Sequence, residues 1–139
     1  MSDTLELQTV VETALYGDDL AAQEHFYTTV MGLPVLGRDP SRHVFLRVGP
    51  ASVLLLFNAE ATLKPGPFPP HGASGPGHAA FGIAADQLEG WRQRLLDHQV
   101  AIEHEITWPL GGRSLYFRDP AGNSVELITP GVWGTPAGW

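Results

Sequence analysis

One internal repeat limits the fold of this chain more than any other feature. Arg42-His43-Val44-Phe45-Leu46-Arg47 and Arg113-Ser114-Leu115-Tyr116-Phe117-Arg118 share the order Arg, any residue, aliphatic, aromatic, apolar, Arg, at an offset of 113 − 42 = 71. After a turn in each copy, Ser52–Leu56 matches Ser124–Ile128 at an offset of 124 − 52 = 72, which places one extra residue in the second turn. The β-favouring side chains and the turn chemistry of Asp119-Pro120-Ala121-Gly122-Asn123 mark each copy as two strands joined by a tight turn. Self-similarity at this spacing means two copies of one supersecondary unit.

The flanking segments extend each copy to β-α-β-β-β. In the first unit, Thr9–Tyr16 reads as a strand. Asp18-Asp19 supplies a helix cap, and Leu20, Phe26, Tyr27, Val30 and Met31 recur at helical spacing up to Gly32. Pro34–Gly37, Arg42–Val48 and Ser52–Phe57 follow as strands. In the second unit, His78–Ala84 is a strand and Asp86–Glu89 a capping pattern. Leu88, Trp91, Leu95 and Leu96 line a helix face, and Val100–Thr107 is a strand leading into the opening pair. The expected fold class is α+β: two βαβββ modules forming curled mixed sheets around a cleft. The expected organisation is one domain over residues 1–139, with modules 8–58 and 78–130 and a linker 59–77. Asn58–Gly77 is read as loop throughout, rich in Pro and Gly, of a length that often walls or covers a pocket.

Two carboxylates stand where strands call for apolar residues. Glu126 lies between Val125, Leu127 and Ile128, and Glu12 interrupts the first strand. Burying an unpaired carboxylate costs several kcal/mol, so such a group is exposed, paired or bound to a metal. For Glu126 the pairing candidates are Arg113 and Arg118. The repeat sets Leu54 against Glu126, so the fold itself does not ask for the charge. It also sets Glu12 against His78, both near the start of a first strand. If the sheets curl together, Glu12, His78 and Glu126 can meet as two carboxylates and one imidazole, a facial site for Mn, Zn, Ni, Fe or Mg. Alternation puts Ser114 and Tyr116 on one strand face, with His43 and Phe45 as repeat partners. Phe57, Trp108 and His71, the last inside Pro69–Gly77, complete the pocket candidates. His25, His98 and His104 are expected at the surface.

Composition closes other routes. The 139 residues contain no Cys, which removes disulfides, thiol nucleophiles and thiolate metal sites. A net charge of −7 argues against nucleic acid or an anionic membrane as partner. Met1–Val10 carries acids and no apolar core, so no signal peptide is expected there and the cytoplasm is the expected location. Rival motifs fail: GASGPG is not G-x-S-x-G, and His104-Glu105 lacks the second His of a zinc-protease helix.

Together, F-Y-x-x-V-M-G-L after the first strand, Gly77-His78 opening the second unit and F-R-D-P-x-G-N-x-x-E-L closing it resemble the vicinal oxygen chelate superfamily. That superfamily includes glyoxalases, bleomycin-resistance proteins and extradiol dioxygenases, and the resemblance covers about residues 8–130. It implies metal positions at Glu12, Leu54, His78 and Glu126, of which Leu54 departs from the glyoxalases' Glu and leaves three ligands. It implies a divalent-metal-dependent lyase or isomerase that chelates vicinal oxygens of a small substrate, with Glu126 or Glu12 moving the proton. The alternative is a metal-free small-molecule binding protein of the bleomycin-resistance type, whose aromatic lining (Phe57, Phe68, Trp108, Tyr116) would suit a flat apolar or cationic ligand. A dioxygenase is disfavoured by the single His. A homodimer is the expected assembly, with Trp133 and Trp139 as apolar anchors.

Overall fold

The computed structural model describes residues 4–139. The first three residues of the acidic segment at the start lie outside the described residues. Two four-stranded sheets form, each with the same order. The first holds β1 (Glu12–Tyr16), β2 (Val35–Asp39), β3 (His43–Val48) and β4 (Ser52–Phe57) in the order β1-β4-β3-β2. The second holds β5 (His78–Gly82), β6 (His104–Thr107), β7 (Arg113–Arg118) and β8 (Ser124–Ile128) in the order β5-β8-β7-β6. In both, the first strand runs parallel to the last and the remaining pairs are antiparallel. The two βαβββ units read from the repeat are therefore present.

The register corrects one detail of that reading. Ser114 pairs with Ile128 as His43 pairs with Phe57, an offset of 71 on both strands (114 − 43 and 128 − 57). The Asp119 amide donates to the Asn123 carbonyl at 3.1 Å, where the first copy pairs Val48 with Ser52. The turns are thus equal in length and no residue is inserted. Tyr116 faces Glu126 as Phe45 faces Leu55, so the counterpart of Glu126 is Leu55 and not Leu54. Leu54 is buried on the opposite face of β4, because a one-residue slip moves a strand side chain across the sheet.

Helix α1 (Leu20–His25) starts where expected. The Asp19 carboxylate accepts from the Ala22 amide at 3.0 Å, a side-chain cap for an otherwise unpaired donor. It continues as a wider turn over Phe26–Val30 and stops at Gly32, whose φ of +76° suits a glycine. The segment after Asn58 is not wholly loop: Asn58 caps a short helix, α2 (Ala59–Thr62), by accepting from the Ala61 amide. The main helix of the second unit, α3 (Leu88–Asp97), follows a 3₁₀ turn at Ala85–Gln87, and the Asp86 side chain does not cap it. Leu88 and Leu95 are buried, but Leu96 is 56% exposed, one position off the stripe.

One connected apolar core draws on both units, with Leu15, Tyr27, Leu46, Leu54 and Leu56 meeting Leu95, Leu115, Phe117 and Leu127. A buried carboxylate joins the units. Asp119 Oδ2 accepts from Gln23 Nε2 at 3.0 Å, Tyr27 Oη at 2.8 Å and Asn123 Nδ2 at 3.0 Å. Its Oδ1 takes the Ala121 and Asn123 amides. Burial and the adjoining Asp119 charge push the Tyr27 phenol far above its usual range, so it stays a donor. With one face of each sheet committed to this core, the other is left to carry side chains for chemistry.

Candidate functional site

On the open face of the second sheet, alternation brings His78 from β5, Ser114 and Tyr116 from β7 and Glu126 from β8 together. Glu126 is 5% exposed and has no arginine partner among the described residues. Arg113 pairs with Glu105, and Arg118 with Glu103. Glu126 is held instead by a serine hydroxyl. Its Oε2 accepts a short hydrogen bond of 2.5 Å from Ser114 Oγ, which in turn accepts from the Trp108 indole N–H at 2.8 Å. Its Oε1 stands 3.3 Å from His78 Nε2. The other imidazole nitrogen, His78 Nδ1, lies 3.0 Å from the Ser124 carbonyl, which can only accept, so Nδ1 carries a proton. Nε2 is thereby turned to the carboxylate, the outer-contact arrangement that orients a ligating or proton-carrying histidine. The Tyr116 ring stacks near His78 at 6.4 Å, and burial, then the Glu126 carboxylate beside it, raises its phenol above the usual range.

The open face of the first sheet is different in kind. Here His43, Phe45, Phe57 and His71 line a cavity of about 880 Å³ together with Glu12, Tyr16 and Arg42. The pocket candidates thus divide between two surfaces: these four on the first sheet, and Trp108, Ser114 and Tyr116 beside Glu126 on the second. His43 lies flat on Phe45, ring centres 4.0 Å apart, and Phe57 meets His71 edge-on at 4.7 Å. Burial first, and then the Arg42 charge, lower the pKa of His43, which favours the neutral imidazole. Tyr16 and Arg42 are the lining residues that the sequence reading passed over. Tyr16 was accessible through alternation from Glu12; Arg42 had no such signal, since its repeat counterpart Arg113 is ion-paired.

The three carboxylate and imidazole candidates do not meet within one chain. Among the described residues, no group of three His, Asp or Glu side chains is placed to hold a metal ion. The pair His78–Glu126 nevertheless suits two positions of such a site. Donors about 2.1 Å from one ion sit about 3.0 Å apart at right angles and about 3.4 Å apart tetrahedrally, and the observed 3.3 Å falls in that range. Glu12 is exposed at the start of β1, an edge strand. His25, His98 and His104 lie exposed, and His104 pairs with Tyr116 across β6 and β7 and so shares the open face of the second sheet.

Comparison with known proteins agrees with this architecture. Residues 9–127 match the model of the Glyoxalase/Bleomycin resistance protein/Dioxygenase superfamily. The crystal structure of a lactoylglutathione lyase from Agrobacterium tumefaciens superposes with a TM-score of 0.88 at 39% identity, covering 93% of this chain and 98% of that one. A glyoxalase/bleomycin resistance protein/dioxygenase from Nocardioides (22% identity, 99% and 92% covered, TM-score 0.72) has the same fold. So does a glyoxalase/dioxygenase from Nostoc punctiforme (24% identity, 93% and 97% covered, TM-score 0.68). A search of curated proteins gave no significant match.

Proposed function

The chain belongs to the glyoxalase/bleomycin resistance/dioxygenase superfamily, and on that premise we propose that it is a divalent-metal-dependent lyase or isomerase acting on a small oxygenated substrate. The observation that carries this is the His78–Glu126 pair: a buried carboxylate with no arginine partner among the described residues, facing an imidazole nitrogen that a backbone carbonyl has turned toward it. The 39% identity to a lactoylglutathione lyase supports the same reaction class.

His78 Nε2 and Glu126 Oε1 would hold the ion, with Glu12 as the third protein ligand. A divalent cation bound there acts as a Lewis acid toward substrate oxygens. The remaining work falls to the chain's own groups. Ser114, braced by Trp108, occupies Oε2, so Oε1 is the oxygen left to bind or to carry a proton. Tyr116, kept protonated by burial and by its hydrogen bond to the carboxylate, is a further donor to Glu126.

We further propose a twofold homodimer in which Glu12 reaches this pair from a second copy. The segment before β1 supports it: Leu5, Leu7 and Val10 are 96%, 102% and 71% exposed, apolar surface that a partner chain would cover. Trp133, 77% exposed, adds to that surface. Among the described residues no helix is long and apolar enough to cross a membrane.

The test is a thermal-shift titration of chelator-stripped protein with Mn²⁺, Zn²⁺ or Ni²⁺. A site in the folded state stabilises by about 2.7 kcal/mol at a hundredfold excess over the dissociation constant. Wild type is expected to gain melting temperature, and Glu126→Gln and His78→Ala to abolish the gain. If wild type gains nothing, the reading is refuted. The second reading, a metal-free small-molecule binder, then takes its place on the strength of the 880 Å³ aromatic cavity.

A further inference from the structure

We propose that the first-sheet cavity binds an organic anion, a carboxylate with an apolar body, and that Arg42 is its charge partner. The proposal rests on the reading above only for the ligand's role as substrate. The binding itself stands on geometry in the other half of the fold.

Arg42 is set apart from the paired arginines. Arg38, Arg92, Arg113 and Arg118 each meet a glutamate, whereas Arg42 meets no carboxylate within ion-pair distance among the described residues. Asp39, three residues back, accepts hydrogen bonds from Ser41 and acts on Arg42 only as a charge beyond ion-pair distance. The Arg42 guanidinium lies between two aromatic faces, 5.3 Å from the Phe57 ring and 5.7 Å from the Phe68 ring. One N–H of Nη1 goes to His43 Nδ1 at 3.0 Å, a neutral acceptor that consumes no charge. A partly desolvated cation with spare donors beside an aromatic floor is complementary to a carboxylate attached to an apolar body.

The surrounding chain gives that ligand a shape. Phe45, Leu55 and Phe57 form the floor. The segment after α2 forms the roof, tied down where Tyr16 Oη meets His71 Nδ1 at 2.6 Å and where Phe68 covers Arg42. Glu12 lines the far end of the same cavity, four residues from Tyr16 along β1, or roughly 13 Å at about 3.3 Å per residue. The negative group therefore belongs at the Arg42 end, with the ligand body running toward Glu12. The flat cationic ligand that the aromatic composition suggested is opposed there by the protein's own cation.

The experiment compares three probes that share a naphthyl body, by calorimetry in the presence of EDTA: 2-naphthoate, 2-naphthylmethanol and 2-naphthylmethylammonium. Wild type is expected to bind naphthoate about tenfold or more tightly than the alcohol, and the ammonium most weakly. Arg42→Gln should remove that preference while changing the affinity for the alcohol less than about twofold, and Arg42→Lys should restore part of it. Circular dichroism and melting temperature establish that each variant is folded. Equal affinity of wild type for acid and alcohol, no binding of any probe, or a preference that survives Arg42→Gln would each overturn the proposal. The chelator makes the outcome independent of metal, so failure here and failure of the metal titration are separate results.

Discussion

Replacing Asp119 by Asn, a change of one atom type in a buried site, is expected to lower stability by about 3–5 kcal/mol. Asp119 Oδ2 accepts from three donors and Oδ1 from two backbone amides. An amide in place of the carboxylate sets its NH₂ against either the three or the two, whichever way it turns. Each donor left without an acceptor in the interior costs about 1–3 kcal/mol, and partial relaxation keeps the sum near the lower end. Such a loss is a large part of the roughly 5–15 kcal/mol that holds a small protein folded. An unfolding entropy of about 2.1 cal/mol/K per residue gives about 0.3 kcal/mol per degree for 139 residues. The melting temperature should therefore fall by about 10–17 °C, read by calorimetry and by urea denaturation. Tyr27→Phe removes one of the five donors and should cost about 1–2 kcal/mol in wild type. In the Asp119→Asn background the two losses should fall short of their sum, because both changes act on the same hydrogen-bond cluster. A fall of less than about 4 °C for Asp119→Asn, or additive losses in the double variant, would refute the view that this carboxylate fastens α1 of the first unit to the β7–β8 turn of the second.

Leu55→Glu should yield folded protein, since Leu55 lines the cavity, whereas Leu54→Glu buries a charge in the core and should abolish soluble expression; the reverse order would show the register to be wrong. Gly82→Ala should unseat Trp139, whose indole occupies the space of the new methyl, and red-shift tryptophan emission with little change in melting temperature; unchanged emission would mean that the indole does not rest there in solution. Stability should fall as pH drops from about 6.5 to 3.5. Burial and Arg42 lower the His43 pKa, so the unfolded chain takes up that proton first and stability declines below about 6.5. Hydrogen bonds from Arg118 to Glu103, from Arg92 to Glu105 and from Ser41 to Asp39 depress those carboxyl pKa values, so their contribution, present above the usual carboxylate range, is lost as pH falls through the lowered values. A flat melting profile over that interval would contradict this assignment.

What was legible in the sequence was whatever repeats. The strand pairs, the two mixed sheets and the shared face of His43, Phe45, Ser114 and Tyr116 follow from period-two patterning within two similar units. The misplacement of Leu54 shows where pattern matching gives out. Val53-Leu54-Leu55-Leu56 offers several apolar residues in a row, so similarity cannot choose between two registers one residue apart. Backbone pairing across the turn makes that choice. Arg42 was hidden for a related reason: an arginine flanking a strand looks the same whether or not an acid lies opposite. Only the placed neighbours reveal that Arg113 meets Glu105, which it shares with Arg92, and that Arg42 has no such partner among the described residues. The Asp86 cap failed because a 3₁₀ turn intervened, leaving the helix to start at Leu88.

Comparing equivalent positions in the two units gives the chemistry its most economical reading. The backbone offers the same slots twice, with His43 matching Ser114, Phe45 matching Tyr116, Leu55 matching Glu126 and Glu12 matching His78. On the second sheet these slots are filled by a polar set in which Trp108 donates to Ser114 and Ser114 to Glu126, with His78 beside the carboxylate. On the first they are filled by stacked rings around a cation, with Glu12 as the lone acid at the far end. A symmetric ligand site would need neither difference. The asymmetry fits a division in which the second sheet carries the groups able to hold a metal and move a proton, and the first supplies the surface that recognises the rest of the substrate. Such a division also explains why a three-ligand centre is not closed within one chain. The two surfaces belong to different sheets, and in the proposed homodimer Glu12 of one copy would be joined to His78 and Glu126 of the other.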